Sequence, residues 1–229
     1  MSIVKGLSNI NKRVEQDNAP RESGPKINWL KLKDGETVGL RFLQELDESS
    51  PNYNEKAGLG FLAIEHQAGG NFLRRALCTI DDEGRCFGCE QHQRDFKAGW
   101  RQKSRLYVNV LVLRDGAEPE VAVLAQGNGP KSVTGWLLEY AGDAGTITGQ
   151  RFKYKRTGSG QKDTSYTLTP GKFDDTVYDV TQHELFDLDT AVRDVPYEQQ
   201  EAYYLGGNAG GDSDAGSAGG KDTGTDVDW

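Results

Sequence analysis

The sequence predicts a mainly β protein, a small barrel of antiparallel strands with an inserted metal-binding segment, one internal helix and an unstructured acidic end. Three observations carry this. Short stretches of alternating apolar and polar residues are separated by turn signals, three cysteines and a histidine crowd into one part of the chain, and the last two dozen residues are dominated by glycine and aspartate. At 229 residues there is material for one sizeable core with a small insertion, and hardly for two domains.

Residues 1–25 are polar, with Pro20 and Pro25 near their end, and read as an arm; the core spans 26–205. Ile27–Leu32 and Thr37–Leu43 read as strands around the turn Lys33-Asp34-Gly35, since Val38, Leu40 and Phe42 alternate with Thr37, Gly39 and Arg41. Phe61–His66 looks like a strand leading into the metal segment. The strongest strand is Arg105–Leu113, which ends at Arg114-Asp115-Gly116 and pairs back onto Glu120–Ala125. One helix follows: Pro130 suits its first turn, and Val133, Trp136, Leu137 and Tyr140 share one face. Thr146–Arg156 and Thr164–Thr169 form a hairpin around Thr157-Gly158-Ser159-Gly160, and a last weak helix covers Pro196–Leu205. From Gly206 to Trp229 there are eight glycines and five aspartates, a composition that cannot bury enough surface to offset its ordering entropy, so a disordered tail is expected.

The net charge of −8 conceals a division. Asp179–Trp229 holds 12 acidic residues and two basic ones, so Met1–Tyr178 is left at +2. Arg94–Arg114 carries six Lys/Arg against the single acid Asp95. A polyanion responds to that local field rather than to the global isoelectric point. No run approaches the roughly 18 apolar residues of a membrane span, and Met1–Arg13 lacks the apolar stretch of a signal peptide. A cytoplasmic protein without a membrane partner is expected, and in that compartment three cysteines point to a metal or to free thiols, not to disulfides.

The metal motif is His66-x11-Cys78-x7-Cys86-x2-Cys89, in a zinc subdomain at about 61–92. A Cys-x2-Cys turn presents two thiolates to one ion, and four N/S ligands close a tetrahedral zinc site. His92 is the rival fourth ligand, but Cys-x2-Cys-x2-His is sterically tight. Three reduced cysteines of no special role are the plainer alternative. The expectation is one structural zinc. A zinc deaminase would need a glutamate two residues after the histidine and a proline before the Cys-x2-Cys pair, whereas Gln67-Ala68 follow His66 and Arg85 precedes Cys86. Zincin, P-loop and Gly-x-Ser-x-Gly motifs are absent, so no enzyme is expected.

Non-specific single-strand binders combine a basic groove with aromatic faces on which bases stack. Phe96, Lys97, Trp100, Arg101, Lys103, Arg105 and Tyr107 supply that mixture, as do Phe152, Tyr154, Lys155 and Arg156, continuing to Tyr166. Arg74 and Arg75, beside the metal ligands, are further phosphate contacts. An aromatic on an alternating strand is as readily core as platform. In the tail, Asp226, Asp228 and Trp229 form an acidic-aromatic terminus suited to a partner's pocket, or else belong to a solubilising linker.

The run from His66 through Cys78 and Cys86-Phe87-Gly88-Cys89 to Lys103–Leu113 resembles the zinc-bearing helix-destabilising, single-stranded DNA-binding proteins of large tailed phages. The hairpin Arg156–Gly160 with Asp163–Thr167 resembles phage single-stranded DNA-binding proteins likewise. The resemblance covers roughly 60–170. It implies an OB fold whose groove holds single-stranded DNA, a structural zinc, and an acidic tail that contacts phage or host replication and recombination proteins. Such a protein coats and protects DNA during replication, recombination and repair in the host cytoplasm. The family's cooperative binders carry a basic run beside Ser/Thr in the N-terminal arm, where this chain has Asn11-Lys12-Arg13-Val14. The competing expectation is a zinc-ribbon transcription or RNA-binding accessory factor, although little here reads a 2′-hydroxyl.

Overall fold

The computed structural model describes residues 26–68, 71–160, 163–173 and 180–206. The β-branched and alternating segments form seven strands: β1 (Thr37–Phe42), β2 (Phe61–Ala68), β3 (Asn71–Leu77), β4 (Lys103–Leu113), β5 (Glu120–Gly127), β6 (Gln150–Thr157) and β7 (Ser165–Phe173). Four α-helices accompany them among the described residues: α1 (Ile80–Glu83), α2 (Phe87–Arg94), α3 (Thr134–Ala144) and α4 (Tyr197–Leu205). Every strand pairing is antiparallel, in the order β3-β2-β4-β1-β6-β7, with β5 also on β4. No helix among the described residues is long and apolar enough to cross a membrane.

The eleven-residue β4 is the spine. β5 follows one edge from Arg105 to Val112; the other edge is divided, with β2 along Lys103–Tyr107 and β1 along Val110–Leu113. Asn109 sits at the join, fully buried within an otherwise apolar run. Its backbone N–H and side-chain amide both donate to Gln44 Oε1 (2.9 and 3.1 Å), its carbonyl accepts from Leu43 N (3.0 Å), and its side chain exchanges two bonds with the backbone of Phe186 (2.9 and 3.1 Å). Such a group would be costly if unpaired. Here it splices two strands onto one edge.

The core lies on one face of this sheet, where Leu40, Phe42, Leu106, Val108, Val110, Val112, Leu124 and Phe152 meet Val133 and Leu137 of the α3 region. Phe152 is its aromatic centre, with Phe42 and Tyr140 edge-on at 5.3 and 5.4 Å. The expected face of α3 is formed: Val133 and Leu137 are buried, Tyr140 is half-buried, and Trp136 keeps an exposed edge.

Several expectations need correction. Among the described residues the barrel does not close: no strand ladder joins β5 to the β6–β7 hairpin, although Gln126 Nε2 of β5 donates to Tyr154 Oη (2.8 Å) and Tyr166 N–H donates to Lys131 O beyond β5 (2.9 Å). Ile27–Leu32 is not a strand; it runs beside β5 through a single parallel bridge at Trp29 and Val123. One internal helix was expected, but α1 and α2 form inside the metal segment. The β3 strand was not anticipated either, since Asn71–Leu77 lacks alternation. The N-terminal arm (1–25) and the tail beyond Gly206 lie outside the described residues.

Replacing Phe152 with alanine empties the centre of the core, so Phe152→Ala should cost about 3–5 kcal/mol of stability in urea unfolding. It should do so whether or not nucleic acid is present.

Candidate metal centre

β2 delivers His66 near its end, opposite Ala76 of β3. Cys78 follows β3 directly, and its N–H donates to Ile64 O (2.8 Å). Gly84, in the left-handed region at φ +67, ends the single turn of α1 and reverses the chain. That reversal sets extended Cys86 at the N-cap of α2 and Cys89 in its first turn. The imidazole lies flat against this turn: a Cβ at Gly88 would stand 2.3 Å from His66 Cγ, so only glycine fits there.

The four ligand atoms of His66, Cys78, Cys86 and Cys89 lie within 4.8 Å of one another. Cys78 Sγ is 3.6 Å from Cys89 Sγ, and His66 Nε2 is 3.3 Å from Cys89 Sγ. Tetrahedral zinc bonds of roughly 2.0–2.3 Å require ligand separations of about 3.5–3.8 Å, so the cage is of the right size. The histidine's other nitrogen settles its tautomer. Nδ1 lies 2.6 Å from Trp100 O, which only accepts, so Nδ1 carries the proton and Nε2 offers its lone pair to the cage. Gln102 Nε2 donates to Cys78 Sγ (3.1 Å) and Cys89 Sγ (3.5 Å), bonds that favour charged sulfur. His92 is not part of the cluster.

The thiols alone cannot share their charge. Burial would raise Cys86, but the adjoining His66 side chain and hydrogen bonds from the Cys89 and Thr79 backbone outweigh it and bring it to about 6. Burial, together with the neighbouring sulfurs of Cys78 and Cys86, pushes Cys89 up to about 12. Burial also raises Cys78. A divalent cation removes this conflict, because coordination deprotonates thiols outright. The donor set of three sulfurs and one imidazole therefore fits zinc. It also fills four positions and leaves none open for a reacting water.

A residue that the sequence did not single out holds this knuckle in place. Gln200 of α4 is fully buried; its Nε2 donates to Thr79 Oγ1 (3.0 Å) and Val195 O (2.9 Å), and its Oε1 accepts from Phe87 N (2.8 Å). Around it Phe87, Trp100 and Tyr204 form a small aromatic cluster. At its rim Tyr197 Oη donates to Glu90 (2.8 Å), and the Arg85 guanidinium lies 3.8 Å over the Tyr197 ring.

The basic and aromatic residues divide sharply. Trp100, Tyr107, Phe152 and Tyr154, all expected to offer ring faces to bases, are buried. Trp100 belongs to the knuckle cluster; Tyr107 donates to Glu65 Oε1 (2.8 Å), and Tyr154 accepts from Gln126. They are core and are withdrawn as stacking platforms. Arg156 is likewise structural: its guanidinium donates to Leu32 O (2.8 Å) and Gly158 O (3.2 Å) and so ties the hairpin to the chain before β1. Tyr166 remains half-buried, stacked on Tyr154 at 5.6 Å with a 7° tilt. Among the described residues Phe96 is the most open large apolar side chain, at 71% exposure, with Lys97 Nζ 5.7 Å from its ring.

Lys103 and Arg105 on β4 gather with Arg75 of β3 on one face of the metal-bearing wing, with Arg101 exposed just before them. Burial, reinforced by Arg75 and Arg105, holds the Lys103 ammonium below its ordinary range. Arg74 donates to Tyr203 O (2.7 Å). Lys155 is exposed on β6 opposite Thr37, while Tyr166 of the same hairpin lies within electrostatic reach of Arg105. Asp226, Asp228 and Trp229 lie outside the described residues.

Protein purified without chelator should contain one zinc per chain by elemental analysis. Cys86→Ser should lose the metal and expose the knuckle to protease while the β core still unfolds cooperatively. Compared with known proteins, the chain matches no family model, and no curated protein or solved structure is significantly similar to it.

Proposed function

We propose that this chain is a single-stranded DNA-binding protein with an OB-like core, a structural zinc and a partner-recruiting acidic tail. The observation that carries the reading is the cluster of Arg75, Lys103 and Arg105 on the metal-bearing wing, with one carboxylate, Glu65, among them. Three cations facing one anion suit a chain of phosphates. The filled coordination sphere supports a structural metal. Zinc, when bound, supplies the charge that lets the three thiols pack together, and through His66 it fixes β2 beside the cationic cluster.

Base contact in this reading comes from Tyr166, backed by Tyr154, and from exposed Phe96. These rings replace the four found in the core. The resemblance to zinc-bearing phage helix-destabilising proteins supports this reading and implies a role in the host cytoplasm during replication, recombination and repair. The described chain leaves α4 at Gly206, where an added Cβ would be 3.8 Å from Arg74 Nη1. Asp226, Asp228 and Trp229 then suit a partner with a small apolar pocket ringed by cations.

Titration with oligo-dT and with a matching duplex at two salt concentrations tests the reading. The single strand should bind more tightly, with a log–log salt slope of about −0.7 for each phosphate neutralised. Equal affinity for the duplex would overturn it, and tighter binding of RNA would favour the accessory-factor alternative. Removing residues 207–229 should tighten DNA binding at low salt, with the gain shrinking as screening increases. Trp229→Ala should abolish partner capture without changing DNA affinity.

A further inference from the structure

β2 has two faces at its metal-bearing end. His66 turns to the thiols, while Glu65 turns to the opposite face and the cationic cluster. The Glu65 side chain is almost wholly buried, at 4% exposure, whereas the Arg75 and Arg105 side chains beside it keep 17% and 20%. Both address the same oxygen: Arg75 Nε is 3.6 Å and Arg105 Nε 3.5 Å from Glu65 Oε2. The other oxygen, Oε1, accepts from Tyr107 Oη at 2.8 Å, which prevents the carboxylate from turning away. Lys103 is the cross-strand neighbour of Glu65 on the same face.

Arg75 and Arg105 come from β3 and β4, on either side of β2; paired with Gln67 and Ala63, they stand two residues to either side of Glu65 along the strand, about 16 Å apart at the backbone, and their side chains converge on its carboxylate. Without an anion between them, two guanidiniums so placed repel and swing apart. With Glu65 beneath, each turns its Nε inward and keeps its terminal nitrogens, a planar fork suited to phosphate oxygens, for the surface. We propose that Glu65 is a positioning residue that holds Arg75 and Arg105 as a paired site for two phosphates of a single strand. This rests on the single-stranded DNA reading. It gives a buried acid, which opposes polyanion binding by charge alone, a role in promoting that binding.

The charge makes the test decisive. Glu65→Gln keeps an acceptor for Tyr107 and adds one net positive charge to the surface. Simple electrostatics predicts tighter binding, whereas the positioning role predicts weaker binding. Oligo-dT titrations on the metal-loaded full chain should show about a five- to tenfold loss of affinity. The salt slope should flatten by about 1.4, the share of two phosphates at about 0.7 each. Arg75→Ala should weaken the wild type but have little further effect on the Glu65→Gln protein. Unchanged or tighter binding by Glu65→Gln, at full zinc content, overturns the proposal and leaves the function standing. Wild-type protein that does not bind oligo-dT overturns both. Should Glu65→Gln not fold, Glu65→Asp carries the test, because it keeps the charge and withdraws it by one methylene; wild-type affinity and slope in that variant overturn the proposal.

Discussion

Three sulfur atoms and an imidazole nitrogen held within 4.8 Å cannot all take their metal-binding forms without a cation among them. Much of the molecule is arranged around that requirement. The segment carrying α1 and α2 has almost no apolar interior of its own: α1 buries nothing, and α2 buries only Phe87 and Gly88. Neutral thiols would leave the knuckle held chiefly by Gln200 and the Phe87–Trp100–Tyr204 cluster. A bound ion converts sulfur repulsion into four bonds and links β2, β3 and α2 at one point.

Polar groups buried elsewhere follow a common rule. Asn109 splices β1 and β2 onto β4. Glu45 accepts from the amides of Ile147 and Thr148 (3.1 Å each) and from the hydroxyls of Thr146 and Thr148, which pins the chain after β1 to the approach of β6. Gln200 does the same for the knuckle. Each lies where two distant parts of the chain meet, and each is satisfied by specific partners. Apolar packing accepts small slips, whereas such networks do not. They fix the register that the hydrophobic pattern leaves loosely defined.

That rule also marks how far the sequence can be read. The alternation of Val38, Leu40 and Phe42, the long run Leu106–Leu113 and the cysteine spacing are local signals, and the strands and cage they announce are present. β3 was hidden because its residues do not alternate. The tyrosines were misassigned for a related reason. Tyr107, following Lys103 and Arg105 on its face, and Tyr154, set between Lys153 and Lys155, look like platform rings, but their hydroxyls are satisfied by Glu65 and Gln126, which lie 42 and 28 positions away. A phenol whose partner is so distant in sequence looks exposed until the chain is folded. Gln200 offered no signal at all, being one polar residue in a weakly amphipathic helix.

The clamp on the knuckle implies an order of assembly. The ligands and their supports, from His66 to Gln102, occupy one continuous stretch of chain. Gln200 reaches Phe87 and Thr79 across 113 and 121 positions. In a chain made from its N-terminus, the cage is complete long before the helix that seals it has been synthesised. Gathering the ligands and closing the lid are separate events in time, and a nascent chain passes through a stage in which an ion, once bound, is held without the clamp that later secures the knuckle.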